Sequence, residues 1–191
     1  MVASKQEVRI IGGRFRSRKL RFPDVEGLRP TPDRVRETLF NWLRETTEGA
    51  RCLDLYAGSG ALGFEAASRG ARRVVMIDTH KGVVQSLKDH CQALDASEVA
   101  VQLANARDFL KGPAEVFDLV FLDPPFRQGW LASAGALLER GGWLARDAWI
   151  YVEAEREFDF SALPPIWRCL RQGEAGDLPV HVGRAVAHRH V

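Results

Sequence analysis

The chain has 191 residues, 46% of them hydrophobic, and a formal net charge of +2, which predicts one domain-sized unit with a single sizeable core. No apolar run approaches the roughly 18 residues of a membrane span, and nothing resembles a signal peptide, so we exclude membrane and exported classes of protein. The three cysteines are far apart and show no metal or redox spacing, as is typical of a reducing compartment. We therefore expect a cytoplasmic protein, most simply a monomer, with no membrane partner and no metal.

The net charge is unevenly distributed along the chain. Residues 1–44 contain 11 Lys and Arg against 5 Asp and Glu, which gives this segment a charge of +6 and leaves −4 for residues 45–191. A basic segment on a mildly acidic body predicts a polyanionic partner, most simply a nucleic acid. We accordingly divide the chain into a basic N-terminal arm and helix used in recognition and packed on the core, residues 1–44, and a main domain, residues 45–191.

Basic side chains interleaved with a phenylalanine follow the first predicted strand. This short strand, Val8–Ile11, leads into a Gly12-Gly13 turn and then into the segment Arg14–Arg21. The side chains that we expect to contact phosphates are Arg14, Arg16, Arg18 and Lys19. They can follow a phosphate backbone while Phe15 stacks on a base or anchors the arm. The alternative is a solvated edge hairpin.

A helix is predicted after the basic segment from its start signals. Thr31 is a good N-cap, Pro32 suits the first helical position, and Asp33 complements the positive end of the helix dipole. Apolar residues at helical spacing form one inward stripe: Val35, Leu39, Trp42 and Leu43. Arg34 lies beside this stripe and Arg36 nearer the opposite face, so each is expected to reach phosphate or to be solvated. We retain Arg34 as a nucleic-acid contact.

A glycine-rich turn follows the first strand of the main domain, predicted over Arg51–Tyr56. The turn contains a literal G-x-G-x-x-G, formed by Gly58, Gly60 and Gly63. The next predicted strand, Arg73–Ile77, ends in Asp78, 20 residues after the first glycine. On spacing alone this matches the dinucleotide fingerprint. In that motif the glycines allow a ligand to approach the backbone closely, and the acid accepts hydrogen bonds from the ribose hydroxyls. A nicotinamide-dependent oxidoreductase is therefore one candidate at this point.

Two details favour a different cofactor. Asp54 lies inside the strand, four residues before Gly58, and the run from Asp54 to Gly60 resembles motif I of class I S-adenosylmethionine-dependent methyltransferases. In those enzymes the acid helps to bind the ammonium group of the cofactor's amino-acid end, whereas a pyrophosphate has no ammonium to recognise. The second detail is an Asp-Pro-Pro-Phe tetrapeptide at residues 123–126, for which a dehydrogenase has no need.

The tetrapeptide follows a buried strand predicted over Val116–Leu122. Neither proline has an N–H for a sheet ladder, so the chain leaves the sheet rigidly at Asp123, at the carboxyl edge where open α/β sheets bind ligands. The Asp123 carboxylate and the Pro124 carbonyl form a pair of hydrogen-bond acceptors, and Phe126 provides an aromatic ring for stacking. This arrangement suits a planar base with an exocyclic amine. The alternative is a plain turn at the end of a strand.

The remaining pattern alternates helices and strands and ends in a hairpin. Its predicted elements are a helix over His80–Leu94, a strand over Val99–Leu103, a helix over Gly129–Glu139, a strand over Trp149–Glu153, and hairpin strands over Ile166–Arg171 and Val180–Ala187. This order predicts an α/β fold of the Rossmann-like class I S-adenosylmethionine-dependent methyltransferase type. We expect a mostly parallel seven-stranded sheet with an antiparallel C-terminal hairpin.

The whole chain resembles the RsmD family, bacterial enzymes that methylate the 2-amino group of a guanine in 16S ribosomal RNA. The matching stretches are Arg9–Gly13, Arg18–Leu20, Arg29–Thr31, Asp33–Leu43, Asp54–Gly63 and Phe121–Phe126. They cover both the arm and the catalytic core, whereas the segment after about residue 159 is similar only loosely. The resemblance implies S-adenosylmethionine as the cofactor. It also implies 16S ribosomal RNA as the substrate, within an assembling small ribosomal subunit, and a basic arm that binds this RNA.

The resemblance also implies roles for individual residues. The cofactor-binding positions are Asp54, Gly58, Gly60, Asp78, Asn105 and Ala106. Asn105 falls where an Asp commonly contacts the adenine, and its side-chain oxygen still accepts from an amine. Asp78 stands where many relatives have Glu. The catalytic residues are Asp123, Pro124 and Phe126: the first two accept the N–H bonds of the amine, and the ring stacks on the extruded base.

Other targets and functions stay open at this stage. Asp-Pro-Pro-aromatic motifs also serve methyltransferases of DNA adenine and of glutamine side chains, although this chain has no room for a separate DNA-recognition domain. The less favoured alternatives are a nicotinamide enzyme and a non-catalytic RNA-binding module with a decayed site. The intact glycines and the intact tetrapeptide argue against decay.

Overall fold

The computed structural model describes residues 6–125, 129–175 and 178–185 of the chain. The strands in this part of the chain are β1 Gln6–Arg9, β2 Lys19–Phe22, β3 Arg51–Asp54, β4 Arg73–Asp78, β5 Val99–Leu103, β6 Phe117–Leu122, β7 Leu144–Glu153, β8 Trp167–Ala175 and β9 Leu178–Ala185. The α-helices are α1 Asp33–Trp42, α2 Arg44–Thr47, α3 Ala61–Ser68, α4 Lys81–Leu94, α5 Ala106–Leu110 and α6 Trp130–Arg140. Within the described ranges, no helix has the length and apolar character to cross a bilayer.

Seven of these strands form one sheet in the order β5-β4-β3-β6-β7-β9-β8. The five strands from β5 to β7 run parallel, and β9 runs antiparallel to both β7 and β8. The expected mostly parallel seven-stranded sheet with an antiparallel C-terminal hairpin is therefore confirmed. The chain order reverses between β3 and β6, and such a switch point opens a crevice at the carboxyl ends of the strands.

Most predicted elements are observed with small shifts at their ends, but β2 and α2 were not predicted, and β8 ends four residues later than expected. β7 is also longer than expected. It begins at Leu144 rather than at Trp149. Its pairing with β6 is interrupted, because Phe117 lies beside Leu144 but Leu119 lies beside Trp149. The extra residues include Asp147, which has a φ of 63°. The strand therefore contains a bulge between Leu144 and Trp149. The sequence of this stretch has no alternation of apolar and polar residues that would predict a strand.

Helices cover both faces of the sheet. Residues of α1, α3 and α4 pack on one face, and residues of α5 and α6 pack on the other. Alternation along each strand decides which layer a side chain enters. Phe121 and Tyr151 belong to the layer of α1 and α3, whereas Leu122 and Val152 belong to the layer of α5 and α6. Consequently, the residues two positions after Phe121 and Tyr151 also face the layer of α1 and α3.

The arm, here residues 6–32, shares the core of the layer that contains α1 and α3. Its strands β1 and β2 pair as an antiparallel hairpin, and Phe15 between them is 7% exposed within this core. The Glu65 carboxylate of α3 accepts from the backbone N–H groups of Ile11 (2.9 Å) and Gly12 (2.8 Å). Of the two roles considered for Phe15, anchoring of the arm is therefore the correct one.

Two expectations for α1 are wrong. The helix begins at Asp33 with Pro32 at the N-cap position, and no side chain caps it, so Thr31 is not the cap. Arg36, expected at a phosphate or in solvent, is fully buried instead. Its guanidinium donates to the Thr31 carbonyl (3.0 Å) and pairs with Asp33 and with Glu65 (3.3 Å). A buried acid on another helix makes this burial possible, and no pattern within α1 reveals it.

We expect Gly13→Ala to lower the free energy of unfolding more than Gly27→Ala does. Both glycines have a positive φ, 75° and 81°, so each alanine incurs ~1–2 kcal/mol of left-handed strain. A Cβ on Gly13 would lie 1.8 Å from the Ser68 carbonyl oxygen, whereas a Cβ on Gly27 would have no atom within 4 Å. The clash adds a further ~1–3 kcal/mol. Urea denaturation of both variants measures the difference, and equal losses would contradict the close packing of the arm on α3.

Candidate active site

Acidic side chains gather where the central parallel strands end. Asp54 is the last residue of β3, Asp78 is the last residue of β4, and Asp123 follows β6 directly. Because parallel strands end at the same edge of a sheet, the fold brings these three predicted site residues to one crevice. The strand order places β3 between β4 and β6, so Asp54 lies in the middle of the row.

The glycine loop, residues 57–63, lies at this edge and is bound by two of the acids. Gly58 and Gly60 adopt left-handed backbone conformations, with φ of 51° and 79°, which disfavour any residue with a side chain. The Gly58 N–H donates to Asp78 Oδ2 at 3.0 Å, and the Gly63 N–H donates to Asp54 Oδ2 at 3.2 Å. A Cβ on Gly60 would lie 2.6 Å from a leucine of α4. Gly60 is therefore required for packing against α4, whereas the half-buried Gly58 leaves backbone without a side chain at the crevice.

Asp54 is a buried carboxyl without a cationic partner. It is 2% exposed, and in the described part of the chain no Lys, Arg or His forms an ion pair with it. Burial, opposed by hydrogen bonds from the Gly63 and Tyr56 backbone, raises the pKa of Asp54 to about 7. Such a carboxyl is costly to ionise unless a ligand brings a positive charge. The position therefore fits the ammonium group of S-adenosylmethionine.

Asp78 and the residues after β5 form the other side of the crevice. Asp78 is half-buried, and its Oδ1 accepts from the His80 N–H at 2.8 Å. Asn105 is the exposed N-cap of α5, where its side-chain oxygen accepts from the Arg107 N–H at 2.9 Å. Ala106 is buried, and its side chain belongs to the core under α5. Each carboxylate or amide oxygen has a second lone pair, so acceptors remain for ribose and adenine.

Asp123 and Pro124 leave the sheet at the edge of the crevice. Asp123 is half-buried and Pro124 is buried, so the carboxyl is fixed on a rigid stretch that proline restricts. Burial, the Glu153 carboxylate and the Asp54 carboxylate raise the pKa of Asp123 well above its usual range. Phe126, the third predicted catalytic residue, lies outside the described residues.

Two residues of β7 complete the acidic edge, and the sequence analysis did not single them out. Glu153 ends the strand and is 6% exposed, and Tyr151 is fully buried. The Tyr151 hydroxyl donates to Glu153 Oε2 at 2.9 Å. Residues two apart on a strand share one face, so the Tyr-x-Glu spacing was a usable signal. The missing information was that β7 lies beside β6.

Among the residues that the structure describes, no group of three or more His, Cys, Asp or Glu is arranged to hold a metal ion.

An aromatic pair joins the glycine loop to the segment after the tetrapeptide. Tyr56, just after β3, stacks on Trp130 at the start of α6, with 6.4 Å between ring centroids and 18° between planes. Burial raises the pKa of Tyr56 to about 12. Its buried hydroxyl has no hydrogen-bond partner among the described residues. This hydroxyl is therefore a further donor that a ligand in the crevice could use. Tyr56 lies within the Asp54–Gly60 motif, but its side chain was not predicted to contact a ligand.

Two of the five predicted RNA-binding side chains are engaged in surface ion pairs. Arg14 pairs with Glu98 and lies over the Phe15 ring, 4.3 Å from its centroid. Lys19 pairs with Glu7 at 2.6 Å. Such exposed pairs contribute little to stability. The two cations can therefore exchange their carboxylate partners for phosphates at small cost.

The other three predicted RNA-binding side chains form no ion pair with another described residue and are exposed on the arm and α1. Arg18 is exposed and donates to the Ala93 carbonyl at 3.2 Å. Arg16 is exposed and lines a cleft of about 220 Å³ together with Arg9 and residues of α1. Arg34 is exposed on α1. The fold therefore places all five side chains on the surface, within reach of a macromolecule.

The strand order, the glycine loop at the carboxyl edge and the rigid Asp-Pro-Pro stretch after β6 together define a Rossmann-like, S-adenosylmethionine-dependent methyltransferase. Comparison with known proteins identifies the family within this class. The family described as conserved hypothetical protein 95 matches residues 8–184. The chain belongs to this family, that of the RsmD enzymes, and the resemblance found in the sequence is confirmed.

Individual relatives are similar over nearly the whole chain. The ribosomal RNA small subunit methyltransferase D of Escherichia coli strain K12 is 48% identical over 172 residues, which cover 90% of this chain and 87% of that protein. The protein of the same name from Haemophilus influenzae is 45% identical over 177 residues and covers 91% of each chain. The solved structure of yhhF from Escherichia coli superimposes with a TM-score of 0.86 at 45% identity, over 96% of this chain and 100% of that one.

Proposed function

We propose that the protein transfers a methyl group from S-adenosylmethionine to the 2-amino group of a guanine in 16S ribosomal RNA, within an assembling small subunit. The observation that carries the proposal is the acceptor pair formed by Asp123 and Pro124, on a rigid stretch one strand away from the glycine loop. The names of the relatives, ribosomal RNA small subunit methyltransferase D, support the class of substrate. In this proposal the protein acts as a monomer in the cytoplasm, and residues 1–44 recognise the RNA.

The crevice residues have separate tasks in cofactor binding. S-adenosylmethionine supplies an electrophilic methyl group on a positively charged sulfonium. Asp54, buried without a cation, binds the ammonium group. Asp78 accepts from the ribose hydroxyls, and Asn105 and Ala106 border the adenine. Gly58, which has no side chain, would admit the cofactor close to the backbone at the carboxyl edge.

Asp123 and Pro124 prepare the amine for attack. A guanine 2-amino group is a poor nucleophile because its lone pair is delocalised into the ring. The Asp123 carboxylate and the Pro124 carbonyl accept its two N–H bonds and turn the lone pair toward the methyl group. The carboxylate also stabilises the positive charge that develops on nitrogen. Phe126 stacks on the extruded base and holds the plane of the ring.

We expect the triple variant Arg16→Ala, Arg18→Ala, Lys19→Ala to weaken RNA binding and to flatten its salt dependence. The three side chains are exposed on the arm. Loss of three phosphate contacts lowers the magnitude of the slope of log K against log salt by roughly 2–3. Binding titrations with small-subunit RNA at several salt concentrations measure this slope. An unchanged slope would contradict the role of the arm.

A matched triple variant controls for charge alone. Arg72, Lys111 and Arg140 are exposed and lie outside residues 1–44, and their replacement by alanine changes the net charge by the same amount. We expect the slope of this variant to stay close to that of the unaltered protein. Equal losses in the two triple variants would show that net charge, rather than the arm surface, sets RNA affinity.

Transfer of labelled methyl from S-adenosylmethionine tests the proposed function. The substrates are unmethylated small ribosomal subunits, protein-free small-subunit RNA and duplex DNA, and the product is identified by nucleoside analysis. Label in 2-methylguanosine from subunits or RNA is the expected result, and the ratio between these two substrates identifies the recognised form. Label in methyladenine, or label in DNA only, would overturn the proposed substrate and leave the fold unaffected.

A further inference from the structure

Asp123 and Glu153 are neighbours at the ends of two adjacent strands. Leu122 lies beside Val152 in the parallel register of β6 and β7. Asp123 and Glu153 each come directly after this last paired position, and the Glu153 carboxylate is close enough to act on the charge of Asp123. Glu153 faces the layer of α1 and α3, as its hydrogen bond with the Tyr151 hydroxyl requires. By the same alternation, Asp123 leaves β6 on that face.

The described groups around this pair bring no compensating positive charge. Asp54 of β3 adds a further carboxyl, which is buried. The residue of β9 beside Glu153 is Val180, and α1 presents the Phe40 ring to β6. Among the ion pairs of the described residues, none includes Asp123 or Glu153. Two adjacent, enclosed carboxyls in such surroundings do not both ionise readily.

The titration of both groups agrees with this geometry. Burial, followed by Glu153 and Asp54, raises the pKa of Asp123 well above its usual range. Burial also raises the pKa of Glu153, and the hydroxyl donated by Tyr151 offsets part of that rise. Both pKa values are therefore raised, and the two adjacent groups titrate as a pair.

We propose that Glu153 is a positioning residue that shares one proton with Asp123, and that the pair releases this proton when the positively charged cofactor binds. The inference rests on the proposed function, because that function brings a sulfonium close to Asp123. A nearby positive charge favours the ionised form of both carboxyls. Asp123 is then a carboxylate when the amine arrives, and it can accept an N–H bond.

The protons balance over one turnover. When the cofactor binds, one proton leaves the pair for solvent. The amine nitrogen then forms a bond to the methyl carbon, while the carbon–sulfur bond breaks and leaves its electron pair on sulfur. The nitrogen, now positive, gives one proton to Asp123. Because the sulfur is now neutral, the pair keeps this proton. The single proton produced by methyl transfer is therefore released to solvent at cofactor binding, before the chemical step.

Calorimetric titration of the unaltered protein tests the inference without RNA. Titrations at pH 7 in two buffers with different ionisation enthalpies count the protons that binding releases. S-adenosylmethionine and S-adenosylhomocysteine share the ammonium group that Asp54 is proposed to bind, but only the first has a sulfonium. We expect S-adenosylmethionine to release about one proton more per site. Equal release by the two ligands would overturn the inference.

Glu153→Gln tests the residue itself. The amide keeps an acceptor for the Tyr151 hydroxyl but cannot share a proton. The substitution removes the Glu153 charge, which lowers the pKa of Asp123, while burial and Asp54 still raise it. We therefore expect the difference between the two ligands to shrink. An undiminished difference would overturn the role of Glu153. Glu157→Gln, exposed in the loop after β7, is the matched control and should keep the difference.

The proton count and the labelled-methyl experiment test different claims, so their outcomes distinguish a wrong role for the carboxyl pair from a wrong substrate. A proton difference without label in guanine would leave the pair supported and the RNA substrate wrong. Label in 2-methylguanosine together with equal proton release would support the proposed function and overturn the role of the pair.

Discussion

Asp123→Ala is expected to lower the rate of methyl transfer by at least roughly 10²–10³-fold, the loss typical of removing one preorganised electrostatic contact to a transition state. The change removes a charged acceptor from the amine and the only carboxylate that directly follows β6. Cofactor affinity should be largely retained, because Asp54, Asp78 and the glycine loop stay in place. Single-turnover transfer of labelled methyl measures the first quantity, and calorimetric titration measures the second.

Asp118→Ala is the matched control for this prediction. Asp118 lies on the same strand near its other end, where its Oδ2 accepts from the Arg51 N–H at 2.9 Å. We expect this variant to transfer methyl groups at nearly the unaltered rate. If Asp123→Ala instead lost cofactor affinity in proportion to rate, its carboxylate would belong to cofactor binding rather than to the amine.

Glu65→Ala is expected to produce the largest loss of stability. Its carboxylate, fully buried, accepts from Ile11 N–H, Gly12 N–H and Arg69 Nε (2.8 Å) and pairs with the buried guanidinium of Arg36. Removal leaves that guanidinium short of a partner, which costs ~3–5 kcal/mol. Since a domain of this size is stable by only ~5–15 kcal/mol in total, the fold itself is at risk. Thermal and urea unfolding measure the loss.

Glu37→Ala provides the comparison for Glu65. Glu37 is a helical glutamate that is exposed on α1, and such surface changes usually stay within ~0.5 kcal/mol. A loss of similar size in both variants would mean that the buried network does not hold the arm to α3. A large loss in Glu65→Ala alone confirms that the network stabilises the fold.

The sheet and its acidic edge were predictable because they are encoded locally. Apolar runs marked the strands, the glycines marked the loop, and two consecutive prolines marked the point where the chain leaves β6. Asp54, Asp78 and Asp123 could be assigned to one crevice because each ends a strand or directly follows one. Parallel strands have a common carboxyl edge, so the inference needed no knowledge of strand order.

The burial of Arg36 and the position of Glu153 were not predictable, because both depend on contacts between distant segments. Arg36 pairs with Glu65, 29 residues away, and the pattern of α1 alone assigns the arginine to the surface. Glu153 becomes relevant only when β7 is known to lie beside β6 in a given register. Periodicity gives the face of a side chain but not its neighbour on another strand.

α3 connects the two proposed functional surfaces of the protein. It begins in the glycine loop, spans eight residues and ends at Ser68, whose carbonyl accepts from Arg14 N–H and whose hydroxyl binds the backbone of Gly12 and Phe15. The arm, which is the proposed RNA-recognition segment, cannot be replaced by an unrelated segment, because the replacement would disturb the helix that supports the glycine loop. A new RNA target would instead have to be acquired by changing exposed side chains on an unaltered backbone.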